Sequence, residues 1–247
     1  MDTPARLIAR RIEDRLGWTI EPEQSTGRGG TLAAMAVAKA PLDGATIAMI
    51  VTGALTYNAM SSGMTELGLE NYTPTAATAR VQMGLVARAG SGLETWHNVT
   101  AAARARPLTV GAVTDRMADV IWQLSRTKKL AFRVAQTKGG AVSLKRLPDG
   151  STELAKVAGP QAKGVADGTL VNVLAGLAVP LAMSPDARTL AQAGSGFDLD
   201  GYFLFIDAAG MPPEVRAAFA AAIEDAVTDP ASPATALLKA QFGSRLC

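Results

Sequence analysis

The chain has 247 residues, 48% of them apolar, and a mean hydropathy of +0.16, which is enough for one large or two medium domains with real cores and excludes a disordered chain. Lys plus Arg number 24 against 22 Asp plus Glu, a formal net charge of +2, and aromatic residues make up 5%, so there is neither the field nor the stacking surface to hold nucleic acid or an anionic membrane. A single cysteine, Cys247, and a single histidine, His97, exclude a disulfide framework and a Cys/His metal site within one chain.

Thr3-Pro4 starts a helix, with Asp2 or Thr3 as its cap, and Ile8, Ile12 and Leu16 recur every four residues on one face until Gly17 closes it. Residues 19–23 read as a strand. The glycine-rich loop Thr26-Gly27-Arg28-Gly29-Gly30-Thr31 follows, and a helix is expected over 32–39. Glycines let backbone N–H groups approach a ligand, and the unpaired N–H groups of the next helix point the same way, which is a setting for an anion. The loop has no Gly-Lys-Ser/Thr and lacks the full dinucleotide spacing, so it is a weak case for a nucleotide. The turn Pro41-Leu42-Asp43-Gly44 leads to a strand over 45–51, which would complete a strand-helix-strand unit. Thr52 and Thr56 leave its end in the direction of the glycine loop.

Residues 75–88 supply one or two strands, and residues 89–92 make a flexible crossing between domains. Asn98 is expected to cap a short helix ending at Arg104, and 108–112 is a strand. Thr114-Asp115 caps a helix carrying Met117, Val120, Ile121 and Leu124. A strand over 131–135 precedes a second glycine turn, Thr137-Lys138-Gly139-Gly140, and a helix over 141–147. Strands over 152–158 and 169–182 flank a helical 159–168, and 202–206 is a late strand. Pro212-Pro213 opens a helix with Val215, Phe219, Ile223 and Val227 on one face, and Ser232-Pro233 opens another that runs to about Gln241. The alternation of strands and helices places the chain in the α/β class with mainly parallel sheets. The longest apolar run, 169–183, is broken by Asn172, Gly176 and Pro180, and residues 1–6 lack the apolar core of a signal peptide.

Catalysis needs a base with a partner, and few are on offer. His97 lies in a loop-to-helix context, Ser61-Ser62-Gly63 and Gly194-Ser195-Gly196 lack a strand-to-helix elbow, and Glu13-Asp14 and Glu224-Asp225 point apart on their helices. What recurs is neutral loops of Gly, Thr and Ser at helix starts, which bind carboxylates without altering them. The expectation is a binding module with no catalytic residue, no metal and no cofactor.

The order Asp2-x-x-Ala5-Arg6, Leu16-Gly17, Gly27-x-Gly29-Gly30, Pro41-x-Asp43-Gly44-x-Thr46, Tyr72-Thr73-Pro74, Lys138-Gly139-Gly140, the segment 185–194 and Gly210-Met211-Pro212-Pro213-Glu214-Val215 resembles the substrate-binding receptors of tripartite tricarboxylate transporters, also called Bug receptors. The resemblance runs over nearly the whole chain. It implies a periplasmic-binding-protein-like (type II) α/β fold of two lobes with a ligand cleft between them, 1–88 with 201–247 forming one lobe and 89–200 the other. It further implies a non-enzymatic, monomeric receptor that closes on a small organic carboxylate and hands it to membrane transporter subunits, without inserting in the membrane itself. The expected ligand-binding residues are Thr26, Gly27, Gly29, Gly30, Thr31 and Thr52 in the first lobe and Thr114, Gly139 and Gly140 in the second, with Arg28 and Arg116 as secondary candidates.

The pattern also departs from the family. Family members carry a signal peptide, a first strand and a Gly-Gly loop before the Asp-x-x-Ala-Arg helix, whereas Met1 stands directly before Asp2. The resemblance therefore implies the periplasm if an upstream signal peptide precedes this record and the cytoplasm if the chain starts at Met1. An intracellular carboxylate sensor or interaction protein on the same fold is the alternative. In the second lobe the usual loop becomes Gly111-Ala112-Val113-Thr114-Asp115-Arg116, where Asp115 reads as a helix cap.

Overall fold

The computed structural model describes residues 2–25, 27–61, 63–64 and 67–243. In chain order the elements are α1 (Asp2–Leu16), α2 (Thr31–Ala38), β1 (Ala48–Val51), α3 (Tyr57–Ser61), β2 (Tyr72–Arg80), β3 (Met83–Arg88), α4 (Trp96–Ala105), β4 (Leu108–Ala112) and α5 (Asp115–Lys128). They continue with β5 (Phe132–Gln136), α6 (Gly140–Lys145), β6 (Leu154–Ala158), α7 (Ala162–Ala166), β7 (Leu170–Ala175), β8 (Arg188–Thr189), β9 (Tyr202–Ala208), α8 (Pro213–Thr228) and α9 (Pro233–Phe242). Two compact units result: residues up to Arg80 with Gly201–Ala240, and Val81–Asp200 with Gln241–Gly243. β3 therefore lies in the second unit, where it pairs with β6 and β7.

The first unit is built on a three-stranded sheet in the order β1-β9-β2. β9 runs antiparallel to both neighbours, with Ile50 opposite Leu204 and Tyr72 opposite Ala208. Because alternate residues of a strand face opposite sides, Ala48, Ile50, Leu204 and Ile206 pack together with Ala34 and Val37 of α2. Asp207 points to the other side and meets Arg216 of α8. The expected parallel strand-helix-strand unit is absent from the described residues: residues 19–23 form no strand. Just before them Trp18 stacks edge-on against Phe219 of α8, with ring centroids 5.3 Å apart. The Ile20 N–H meanwhile returns to the Glu13 carboxylate at 3.0 Å. α1 buries Ile8 and Ile12 as its spacing requires and is tied to the end of α8 by Arg11 with Asp229 and Arg15 with Asp225.

The second unit holds a six-stranded mixed sheet, β5-β4-β6-β3-β7-β8, in which only β3 runs against its neighbours. Val86, Ala155 and Val157 meet Leu147, with Leu144 and Leu170 at the edge, and α5 buries Met117, Val120, Ile121 and Leu124. Thr95, rather than Asn98, caps α4: its hydroxyl accepts the Asn98 N–H at 3.1 Å. Thr95→Ala is expected to lower the urea-unfolding free energy by about 1 kcal/mol, measured by equilibrium denaturation.

Candidate functional site

The glycine loop of the first unit folds as a single turn before α2. Gly27, Gly29 and Gly30 have φ of 141°, 65° and 99°, a region that only glycine occupies freely, and the Gly30 N–H closes the turn onto the Gly27 carbonyl at 3.0 Å. With Gly30 as its N-cap, α2 starts without a side-chain cap. Thr31 is fully buried and its hydroxyl donates to the Ala54 carbonyl at 3.2 Å, so it ties the loop to the segment after β1. The Asn58 amide reaches the Gly29 carbonyl at 3.4 Å. Thr52 starts that same segment, and its hydroxyl accepts the Tyr202 N–H at 3.2 Å. Gly27, Gly29, Gly30, Thr31 and Thr52 are thus gathered at the C-terminal end of β1. Thr26 and the Arg28 side chain lie outside what the structure describes.

In the second unit β4 and β5 run parallel with Ala112 opposite Gln136, so the loops leaving them start side by side. Thr137 locks that junction: its N–H and its hydroxyl both donate to the Ala112 carbonyl, at 2.8 and 3.2 Å. Thr114 is the N-cap of α5, accepting the Met117 N–H at 3.3 Å, and Asp115 is the first residue inside the helix. Gly139, at φ 146° and ψ 159°, holds a backbone shape closed to other residues, and Gly140 opens α6 against Pro160. Arg116 is not a free cation. Its guanidinium donates to the carbonyls of Asp200 and Asp198 at 2.9 and 3.0 Å, strapping the start of α5 to the end of this unit.

Sequence reading passed over Lys156. It sits on β6 between Ala155 and Val157, is 0% exposed, and its amine has no hydrogen-bond partner among the described residues. Burial pushes it from the ordinary 10.5 down to about 7. The lone lysine inside the apolar run 154–158 was the available signal. Asp207 is equally buried but fully partnered, by the Arg216 fork at 2.9 and 3.0 Å and the Thr75 hydroxyl at 2.8 Å. Among the described residues no group of His, Cys, Asp and Glu is arranged to hold a metal, and no helix is long and apolar enough to cross a membrane.

A family model described as the tripartite tricarboxylate transporter family receptor matches residues 4–243. A protein of Agrobacterium vitis, the UPF0065 protein in the TAR-I ttuE-ttuC' intergenic region, is 25% identical over 241 residues, spanning 93% of this chain and 68% of its own. Among solved structures, an R. palustris protein with adipate superposes with a TM-score of 0.82 at 21% identity, covering 99% of this chain and 84% of that one. MatC from Rhodopseudomonas palustris with bound malate gives 0.77 at 23% identity, covering 97% and 82%.

Proposed function

Since the chain belongs to the tripartite tricarboxylate transporter receptor family, whose members are solute-binding receptors and not enzymes, we propose that it captures a small organic carboxylate and delivers it to membrane transporter subunits in the periplasm. Residues up to Arg80 with Gly201–Ala240 act as one lobe of the receptor and Val81–Asp200 as the other, closing on the ligand. Gly27, Gly29 and Thr52 offer one carboxylate backbone N–H and hydroxyl donors, joined by Thr26, with Gly30 closing the turn and Thr31 backing it, while Thr114, Gly139 and Gly140 do the same on the second lobe. The observation that carries this reading is the pairing of two capless or glycine-held turns, before α2 and before α6, with a family of carboxylate receptors. Adipate and malate are the probes to try first, because they accompany two proteins of the same fold.

A thermal-shift and calorimetric screen of C4–C6 dicarboxylates and citrate tests it. A ligand present at 100 times its Kd should add about 2.7 kcal/mol to stability. Gly139→Ala, which meets no atom within 4 Å and so perturbs backbone conformation alone, should weaken that ligand about tenfold or more. No stabilisation by any carboxylate would sink the proposal.

A further inference from the structure

A second concave site lies wholly within the second unit, away from the loops just described. It is a cavity of about 340 Å³ lined by α4, the end of α5 and the segment from β8 to Ala193. Trp96, Thr100 and Arg104 stand four residues apart on α4 and so share one face. Trp96, 7% exposed, contributes its apolar ring. Arg104, Lys128 and Arg188 bring three positive charges to the lining, and no Asp or Glu is among the lining residues. None of the three cations has an ion pair or side-chain hydrogen bond among the described residues.

Arg104 and Lys128 each occupy the last turn of a helix, a position the helix dipole favours for a cation. Arg188 has no such reason to be there. It sits on the two-residue strand β8, where it adds like charge to a cavity that already holds two. Gln192 sets its side-chain carbonyl on the Thr189 N–H at 2.9 Å, which leaves its NH2 group to donate elsewhere, and the imidazole of His97 completes the rim.

Three cations, an amide donor and an aromatic ring in one lining fit a dianionic group borne on a small organic body. We propose that this cavity binds a phosphorylated small molecule, with Arg188 and Arg104 holding the phosphoryl oxygens and Trp96 lining the space for the organic part. The site is independent of the carboxylate loops. Those loops leave the C-terminal ends of β4 and β5, whereas Arg104 and Lys128 end the helices that feed the N-terminal ends of the same strands.

The test is a titration of the intact chain with inorganic phosphate and with phenyl phosphate at constant ionic strength, read by 31P NMR and calorimetry, with chloride as the control. Saturable binding of both is expected, tighter for phenyl phosphate, and Arg188→Gln and Arg104→Gln should each weaken it about tenfold without moving the Tm of the unliganded protein. Both side chains are exposed, so the variants are expected to fold. Absence of saturable binding beyond the chloride control overturns the proposal, and so does phosphate binding that both variants retain at full strength. Tighter binding of inorganic phosphate than of phenyl phosphate removes the organic body from it and overturns the assigned ligand class.

Discussion

Lys156→Met makes the protein more stable and removes most of the rise of stability with alkaline pH. The folded chain gives up the Lys156 proton at about 7 while the unfolded chain keeps it to 10.5. Between those values the unfolded state binds the extra proton, so stability rises with pH across that window, and below pH 7 the whole cost is present. Lowering the amine from 10.5 to about 7 corresponds to a burden on the order of 5 kcal/mol. Methionine has a similar length and no charge to desolvate, and it fills the same space under Gly176, where the amine now lies. Urea titrations of both proteins at pH 7, 8.5 and 10 measure this directly. The gap between them should be widest at pH 7 and shrink as pH rises. Burial raises the Tyr72 phenol above its usual value, which lowers stability at the alkaline end in both proteins alike and leaves the difference intact. A gap that does not change with pH would show that the amine does not titrate as the fold requires.

Arg216→Met goes the other way. Asp207 is 0% exposed in the middle of the first unit's sheet, and the Arg216 fork supplies two of its three side-chain hydrogen bonds. With the guanidinium gone, a buried carboxylate keeps only the Thr75 hydroxyl, and the expected loss is about 3–5 kcal/mol in unfolding free energy, enough to threaten folding outright. The double variant Asp207→Leu with Arg216→Met removes both charges together and should recover most of the loss, since an apolar pair of similar volume has nothing to desolvate. The same urea titrations give the full double-mutant cycle. A double variant as unstable as Arg216→Met alone would mean that packing, not the stranded charge, sets the cost.

Helices α1 and α5 were legible in the residues because their signals are local. Ile8 and Ile12, or Met117, Val120, Ile121 and Leu124, declare a buried face through their spacing alone, and Thr114 declares a cap three residues from the N–H it accepts. β4 was legible as well, at 108–112, being a short apolar run between turns. Strand direction was not. β1 pairs antiparallel with β9, more than 150 residues later, and nothing in the run 48–51 names its partner or its orientation. Residues 19–23 show the same blindness, since a β-prone run becomes a strand only if a neighbour presents a free edge, and here Trp18 and Ile20 are claimed by α8 and α1 instead.

The two glycine turns that carry the proposed site were visible from composition, because a backbone forced to positive φ selects glycine at Gly29, Gly30 and Gly139 whatever the rest of the chain does. By itself the sequence also determined the class, the family and the neutral, donor-rich chemistry of those turns. Tertiary structure alone decided that the Thr31 hydroxyl points inward to the Ala54 carbonyl, that Arg116 is consumed by the carbonyls of Asp198 and Asp200, that the Lys156 amine is stranded without a hydrogen-bond partner among the described residues, and that Arg104, Lys128 and Arg188 line one cavity. Each of these depends on which distant segment fills the space around a side chain, and a linear pattern carries the periodicity of its own element but not the identity of its neighbours.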